Sequence, residues 1–181
     1  MAGVLWSYDT GRGRVNDTAA TGTEGVAAIG TSTVYIGYGD AWRIEQYSLA
    51  GEQLESIIAA IERRPLTGDL RDRWQAPFLD KVSLRERPEM RRYLSSLPDP
   101  DSLPAMDLMI VDELENLWIR QFALPGEDSA TWFVFSSQGE QVATLRLSTT
   151  LRQLQIGDNF LVAGVSRAAW GEEVVVFALE R

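Results

Sequence analysis

The feature that constrains this chain most is that it repeats itself. One copy runs Val34-Tyr-Ile-Gly-Tyr-Gly-Asp-Ala-Trp-Arg-Ile-Glu-Gln-Tyr-Ser-Leu-Ala-Gly-Glu-Gln-Leu-Glu-Ser-Ile57. The other runs Leu117-Trp-Ile-Arg-Gln-Phe-Ala-Leu, passes through a loop, and resumes as Thr131-Trp-Phe-Val-Phe-Ser-Ser-Gln-Gly-Glu-Gln-Val-Ala-Thr-Leu145. In both, an aromatic strand stops shortly before a turn reading x-Gly-Glu-Gln. Tyr47 then matches Phe135, Gly51 matches Gly139 and Leu54 matches Val142. A single such unit cannot bury its own apolar face, so repeated units must stack on one another.

The repeated runs are short, rich in Val, Ile, Tyr, Phe and Trp, and bounded by Gly, Asp, Asn and Ser, which reads as strand. Trp42, Ile44 and Gln46 alternate with Arg43, Glu45 and Tyr47, so the two sets face opposite sides. Strands are expected at 26–29, 34–38, 42–48 and 53–58, then at 107–111, 116–123, 131–136 and 141–147. Partial copies flank them: Val4–Val15 reads as the end of a unit, and 154–165 with 173–179 as the beginning of another. Gly37, Gly39, Gly157 and Gly164 suit tight turns or close sheet packing. Four antiparallel strands per ~40–45 residues is the pattern of a propeller blade.

Residues 59–105 break the pattern with helical character. Thr67 or Asp69 can cap a helix in which Leu70, Trp74 and Phe78 recur every four residues, and Pro77 is expected to end or kink it. A second helix is expected from Pro88, with Met90, Tyr93, Leu94 and Leu97 as its apolar stripe. Pro98, Pro100 and Pro104 then lead back to strand.

Composition removes several chemistries. The chain has no cysteine and no histidine, which excludes disulfides, thiol nucleophiles, Ser-His-Asp triads and His-ligated zinc. Its net charge of −9 argues against nucleic-acid binding. Residues 62–92 oppose that sign with a net +3, carried by Arg63, Arg64, Arg71, Arg73, Lys81, Arg85, Arg87, Arg91 and Arg92 against six acids. No stretch is apolar enough to span a bilayer, and Met1–Asp9 has no export-signal pattern, so a cytoplasmic location is expected.

From about Val4 to Arg181 the chain resembles the C-terminal half of bacterial six-bladed β-propeller proteins of the NHL/TolB-like kind. The resemblance rests on Leu5-Trp-Ser-Tyr-Asp-x-Gly-x-Gly-Arg-Val15, Val34-Tyr-Ile-Gly, Tyr47-Ser-Leu-Ala-Gly-Glu, Val111-Asp-Glu-Leu-Glu-Asn-Leu-Trp-Ile119, Trp132-Phe-Val-Phe-Ser-Ser-Gln-Gly139 and Ile156-Gly-Asp-Asn-Phe-Leu-Val162. The family usually carries Gly where Glu115 stands, and Asp where Ser48 and Ser136 stand. Membership also implies export, which would place the chain in the periplasm. The expected fold is all-β: one incomplete propeller domain of about three four-stranded blades over 1–181, with a small helical insertion at 59–105. Six blades need roughly 240 residues at ~40 each, so the arc cannot close alone.

An open arc leaves sheet faces and edges that something must cover. A second copy, a different protein, or a merger of the two partial blades could do so, and a different protein subunit is favoured. Candidate chemistry is thin. Asp112, Glu113, Glu115 and Asn116 form the densest acidic turn, read as a blade turn rather than a calcium site. No cofactor, metal or catalytic residue is expected. The expected function is a non-catalytic accessory subunit docking on a larger assembly, for example a membrane-bound respiratory or photosynthetic one reached through its partners. The competing reading is a homodimeric ring with a carboxylate-lined channel. Candidate partner-binding residues are Trp42, Trp74 and Trp170 as exposed anchors, with Arg63, Arg64, Arg71, Arg73, Arg85, Arg87, Arg91 and Arg92 orienting them.

Overall fold

A computed structural model of the chain describes residues 5–9, 14–18, 25–97, 101–167 and 171–180. Strands β1 (Leu5–Asp9) and β2 (Arg14–Thr18) pair as a hairpin. The first repeat forms an antiparallel sheet of β3 (Gly25–Ile29), β4 (Thr33–Tyr38), β5 (Arg43–Ser48) and β6 (Ile57–Ile58), in that order. The second repeat forms β7 (Met106–Val111), β8 (Leu117–Gln121), β9 (Ser129–Phe135) and β10 (Gln141–Ser148), again in chain order. A third sheet holds β11 (Leu151–Ile156), β12 (Phe160–Arg167) and β13 (Gly171–Ala178). The chain is therefore built mainly of small antiparallel sheets, and among the described residues the hairpin pairs with none of the other three. Among the described residues the two partial units share no strand pairing.

The repeat is reproduced atom by atom at its turns. Ser48 N–H donates to Glu52 O at 2.8 Å, Gly51 N–H to Ser48 O at 2.9 Å, and Glu52 N–H to Ser48 Oγ at 3.2 Å. Ser136, Gly139 and Glu140 repeat all three bonds, at 2.8, 2.9 and 3.3 Å. Both glycines sit at positive φ, 86° and 81°, where a Cβ is strained. The serine hydroxyls accept the bond that an aspartate would accept at the same place.

One expected strand is much shorter. Of 53–58 only Ile57 and Ile58 pair as strand, while Gln53 makes a lone bridge to Tyr47 and Leu54 N–H reaches Gln46 O at 2.8 Å. The edge of the first sheet is thus ragged.

Strand alternation gives each sheet two faces. We call leading the face turned toward the next sheet in the chain, and trailing the opposite one. The leading face of the first sheet (Ala28, Tyr35, Ile44, Ile57) packs on the trailing face of the second (Met109, Leu117, Ile119, Phe135). The leading face of the second (Trp118, Trp132, Val134) packs on the trailing face of the third (Ile156, Leu161, Ala163). Leu117 and Ile119 point one way and Trp118 the other, so the middle sheet is apolar on both sides.

Between β6 and β7 lie α1 (Gly68–Asp80) and α2 (Arg87–Ser96). Thr67 caps α1, its hydroxyl accepting from Leu70 N, and Asp69 complements the N-terminal dipole. Pro77 does not end α1; the helix runs on to Asp80. Its missing N–H falls in the last turn, where a single lost bond is tolerated. Pro88 opens α2 as expected. The expected stripe of Met90, Tyr93, Leu94 and Leu97 packs with Trp74, Leu103 and Leu124 in a third, separate core.

Candidate interaction surface

The β7–β8 turn holds the three sheets together at one end. Asp112 is 3% exposed. Its Oδ1 accepts from Leu114 N (2.9 Å) and Asn116 N (2.8 Å), and its Oδ2 from Asn116 Nδ2 (3.0 Å) and buried Trp118 Nε1 (2.9 Å). Glu115 adopts φ 62°, the left-handed conformation that explains the glycine expected there. Its side chain reaches back to the first sheet, where Oε1 accepts Thr31 N–H at 2.9 Å. Glu113 N–H donates to Ile156 O of the third sheet at 3.1 Å. Burial and then the Glu115 carboxylate push the Tyr35 phenol above its ordinary value. A cleft of about 400 Å³ opens beside this turn, lined by Ile29, Ile110, Val111, Leu154 and Ile156 with the acidic turn at its rim. Among the described residues no group of three acidic side chains is arranged to hold a metal ion. The Asp112 carboxylate ties the β7–β8 turn to itself, and the Glu115 carboxylate ties that turn to the first sheet.

The leading face of the third sheet is different in kind. Pairing aligns the three sheets rung by rung. Ala28–Tyr35–Gln46, Ile110–Trp118–Val134 and Gln155–Val162–Val176 are equivalent, as are Val26–Gly37–Ile44, Leu108–Arg120–Trp132 and Arg152–Gly164–Val174. Ile44 and Trp132 are 0% and 2% exposed, and their counterpart Val174 is 71% exposed. Gln46 and Val134 are 8% and 3% exposed, and their counterpart Val176 is 67% exposed. Among the described residues, Val174 and Val176 are thus open where their counterparts are covered, while Val162 on the same face is half-buried.

No protein-family model and no curated protein matches the chain. The surface is read from its own chemistry.

Two of the three tryptophans expected as exposed anchors, Trp42 and Trp74, are not on the surface. Trp42 is buried in the first core, edge-on to Phe133 at 5.0 Å. Trp74 is buried in the helical core against Phe78. Each lies where a second element covers it, which spacing along one strand or helix does not reveal. Trp170 lies outside the described residues.

Two of the arginines are also spoken for. Arg63 donates to the carbonyls of Asp40 (2.8 Å), Leu103 (3.1 Å) and Ser102 (3.3 Å), pinning the segment after α2 to the first sheet. Arg64 makes a forked pair with Glu127 at 2.7 and 3.0 Å and also reaches Phe122 O. Burial alone would raise the Glu127 carboxyl, but hydrogen bonds from Arg64 and Leu124 N hold it below the ordinary range. The same bond raises Arg64. Arg87 lies 3.5 Å from Asp80. Arg71 is half-buried on α1, and Arg73, Arg85, Arg91 and Arg92 are exposed. The basic set therefore divides into internal clamps and an exposed remainder on the helical layer. Sequence reasoning missed Val174 and Val176; the signal lay in the rung equivalence of Val174 to Ile44 and Trp132 and of Val176 to Gln46 and Val134.

Proposed function

We propose that this protein is a non-catalytic interaction subunit: an arc of about three propeller-type blades whose open sheet face is covered by another polypeptide in a larger assembly. The carrying observation is the exposure of Val174 and Val176 at positions buried in both preceding sheets. Covering these two side chains contributes on the order of 2–4 kcal/mol, a useful share of a moderate affinity. The blade reading is supported by the matched Gly-Glu turns and by successive sheets that stack leading face on trailing face. A binding rather than catalytic role is supported by the acidic turn, whose carboxylates serve the backbone. The exposed Arg73, Arg85, Arg91 and Arg92 would steer the helical layer toward an acidic partner surface. No helix among the described residues is long and apolar enough to cross a membrane.

The test is affinity purification of the tagged chain from its native cells, beside the double variant Val174→Lys/Val176→Lys. The wild type is expected to retain stoichiometric protein, another copy of itself included, that the variant releases. Recovery of the chain alone, or of the same partners with both proteins, overturns the reading.

A further inference from the structure

Resting on that reading, we infer that the polypeptide covering the leading face of the third sheet is a second copy of this chain, docked head to tail through the trailing face of its first sheet. Both sheet–sheet interfaces within the chain join a leading face to a trailing face. The two outward faces left over are one of each kind. A second copy placed head to tail continues the contact that the chain already makes twice.

The outward trailing face has the chemistry the contact needs. Ile29, Val34, Ile36 and Tyr47 share it, on the rungs Ile29–Val34–Tyr47 and Ala27–Ile36–Glu45. They stand in register with Val111, Leu117, Ile119 and Phe135, which fill the first interface from the middle sheet. Ile29 is 71% exposed and its counterpart Val111 half-buried, and Val34, Ile36 and Tyr47 are half-buried where Leu117, Ile119 and Phe135 are buried.

A Cβ on Gly37 would stand 2.7 Å from Met106 Sδ, so the first sheet needs glycine there for the second sheet to approach. Gly164 occupies the same rung position in the third sheet. The nearest atoms to a Cβ there are its own sheet's Arg152 O at 3.6 Å and Gln153 Oε1 at 3.8 Å. The middle sheet carries Arg120 on that rung.

A head-to-tail contact uses two different patches, which makes it separable by mixing. The wild-type chain, measured by light scattering from low- to high-micromolar concentration, is expected to reach at least twice its 20.2 kDa mass. Val174→Lys/Val176→Lys disables only the leading face and Ile29→Lys only the trailing face. Each variant alone is expected to associate at least on the order of 100-fold more weakly, because two or one buried aliphatics become charged. All three side chains are exposed in the single chain, and unchanged near-ultraviolet circular dichroism checks its fold. Mixed together, the two variants restore one good contact and are expected to form a pair of twice 20.2 kDa that grows no further.

A wild type that stays monomeric overturns the inference, as does association insensitive to Val174→Lys/Val176→Lys. Association that ignores Ile29→Lys overturns the head-to-tail arrangement and with it the inference. A monomeric wild type that still loses co-purifying subunits on Val174→Lys/Val176→Lys leaves the proposed function standing without it.

Discussion

Replacing Asp112 with alanine tests whether the β7–β8 turn organises the fold. The carboxylate accepts two backbone bonds, from Leu114 N and Asn116 N, at 2.9 and 2.8 Å. Those donors sit in a surface turn where water can replace the lost acceptor, so each costs about 0.5–1.5 kcal/mol. Trp118 Nε1 is different: its residue is 5% exposed, and without Oδ2 at 2.9 Å its N–H is orphaned in the core between two sheets. Leaving such a donor unmet costs about 1–3 kcal/mol. Asp112→Ala should therefore lose about 2–6 kcal/mol, against a total of roughly 5–15 for a domain. For a chain of this size that lowers Tm by on the order of 10 °C. Asp112→Asn keeps one acceptor oxygen and should fall between wild type and alanine. Urea unfolding followed by tryptophan fluorescence reads both. A loss below about 1 kcal/mol for the alanine variant, the lower end for one unmet buried donor, refutes the claim that this carboxylate holds the turn.

Gly37→Ala should destabilise by about 1–3 kcal/mol through overpacking against Met106, whereas Gly164→Ala, with only ordinary contacts in the single chain, should stay within about 0.5 kcal/mol. Equal losses in denaturant melts would contradict the open leading face of the third sheet. Trp42 Nε1 is buried without a partner, so Trp42→Phe should change stability by less than about 1.5 kcal/mol, because shedding an unmet donor offsets lost volume. Glu127 has a folded pKa below its unfolded one, so its contribution is complete above the unfolded carboxylate range and disappears as pH falls through the folded value. Glu127→Gln should accordingly weaken the protein by about 1–3 kcal/mol at pH near 7 and match wild type in strong acid. A gap that persists on acidification would place its origin outside the Arg64 pair.

Local pattern carried most of the secondary structure. The alternation of Trp42, Ile44 and Gln46 against Arg43, Glu45 and Tyr47 needs only the two-residue period of a strand. The four residues of the α2 stripe need only the helical period. The Gly51 and Gly139 turns were legible because positive φ selects glycine, and the same rule marked Glu115 as the departure. The expected strand at 53–58 failed because an edge strand persists only where cross-strand and packing contacts support it, and only Ile57, buried under the Gly139 turn, has them.

What the order of residues determined by itself was the set of units: two matched β repeats, a third begun, and a helical segment between the first two. Period and turn chemistry act within a few residues of chain, so they are written locally. Which face of each unit is covered, whether Trp42 and Trp74 lie inside, and whether Arg63 and Arg64 turn inward or outward were decided only by tertiary structure. Burial belongs to pairs of surfaces far apart in sequence. Val174 and Ile44 are both strand aliphatics, and the sheet standing over one and not the other makes the difference.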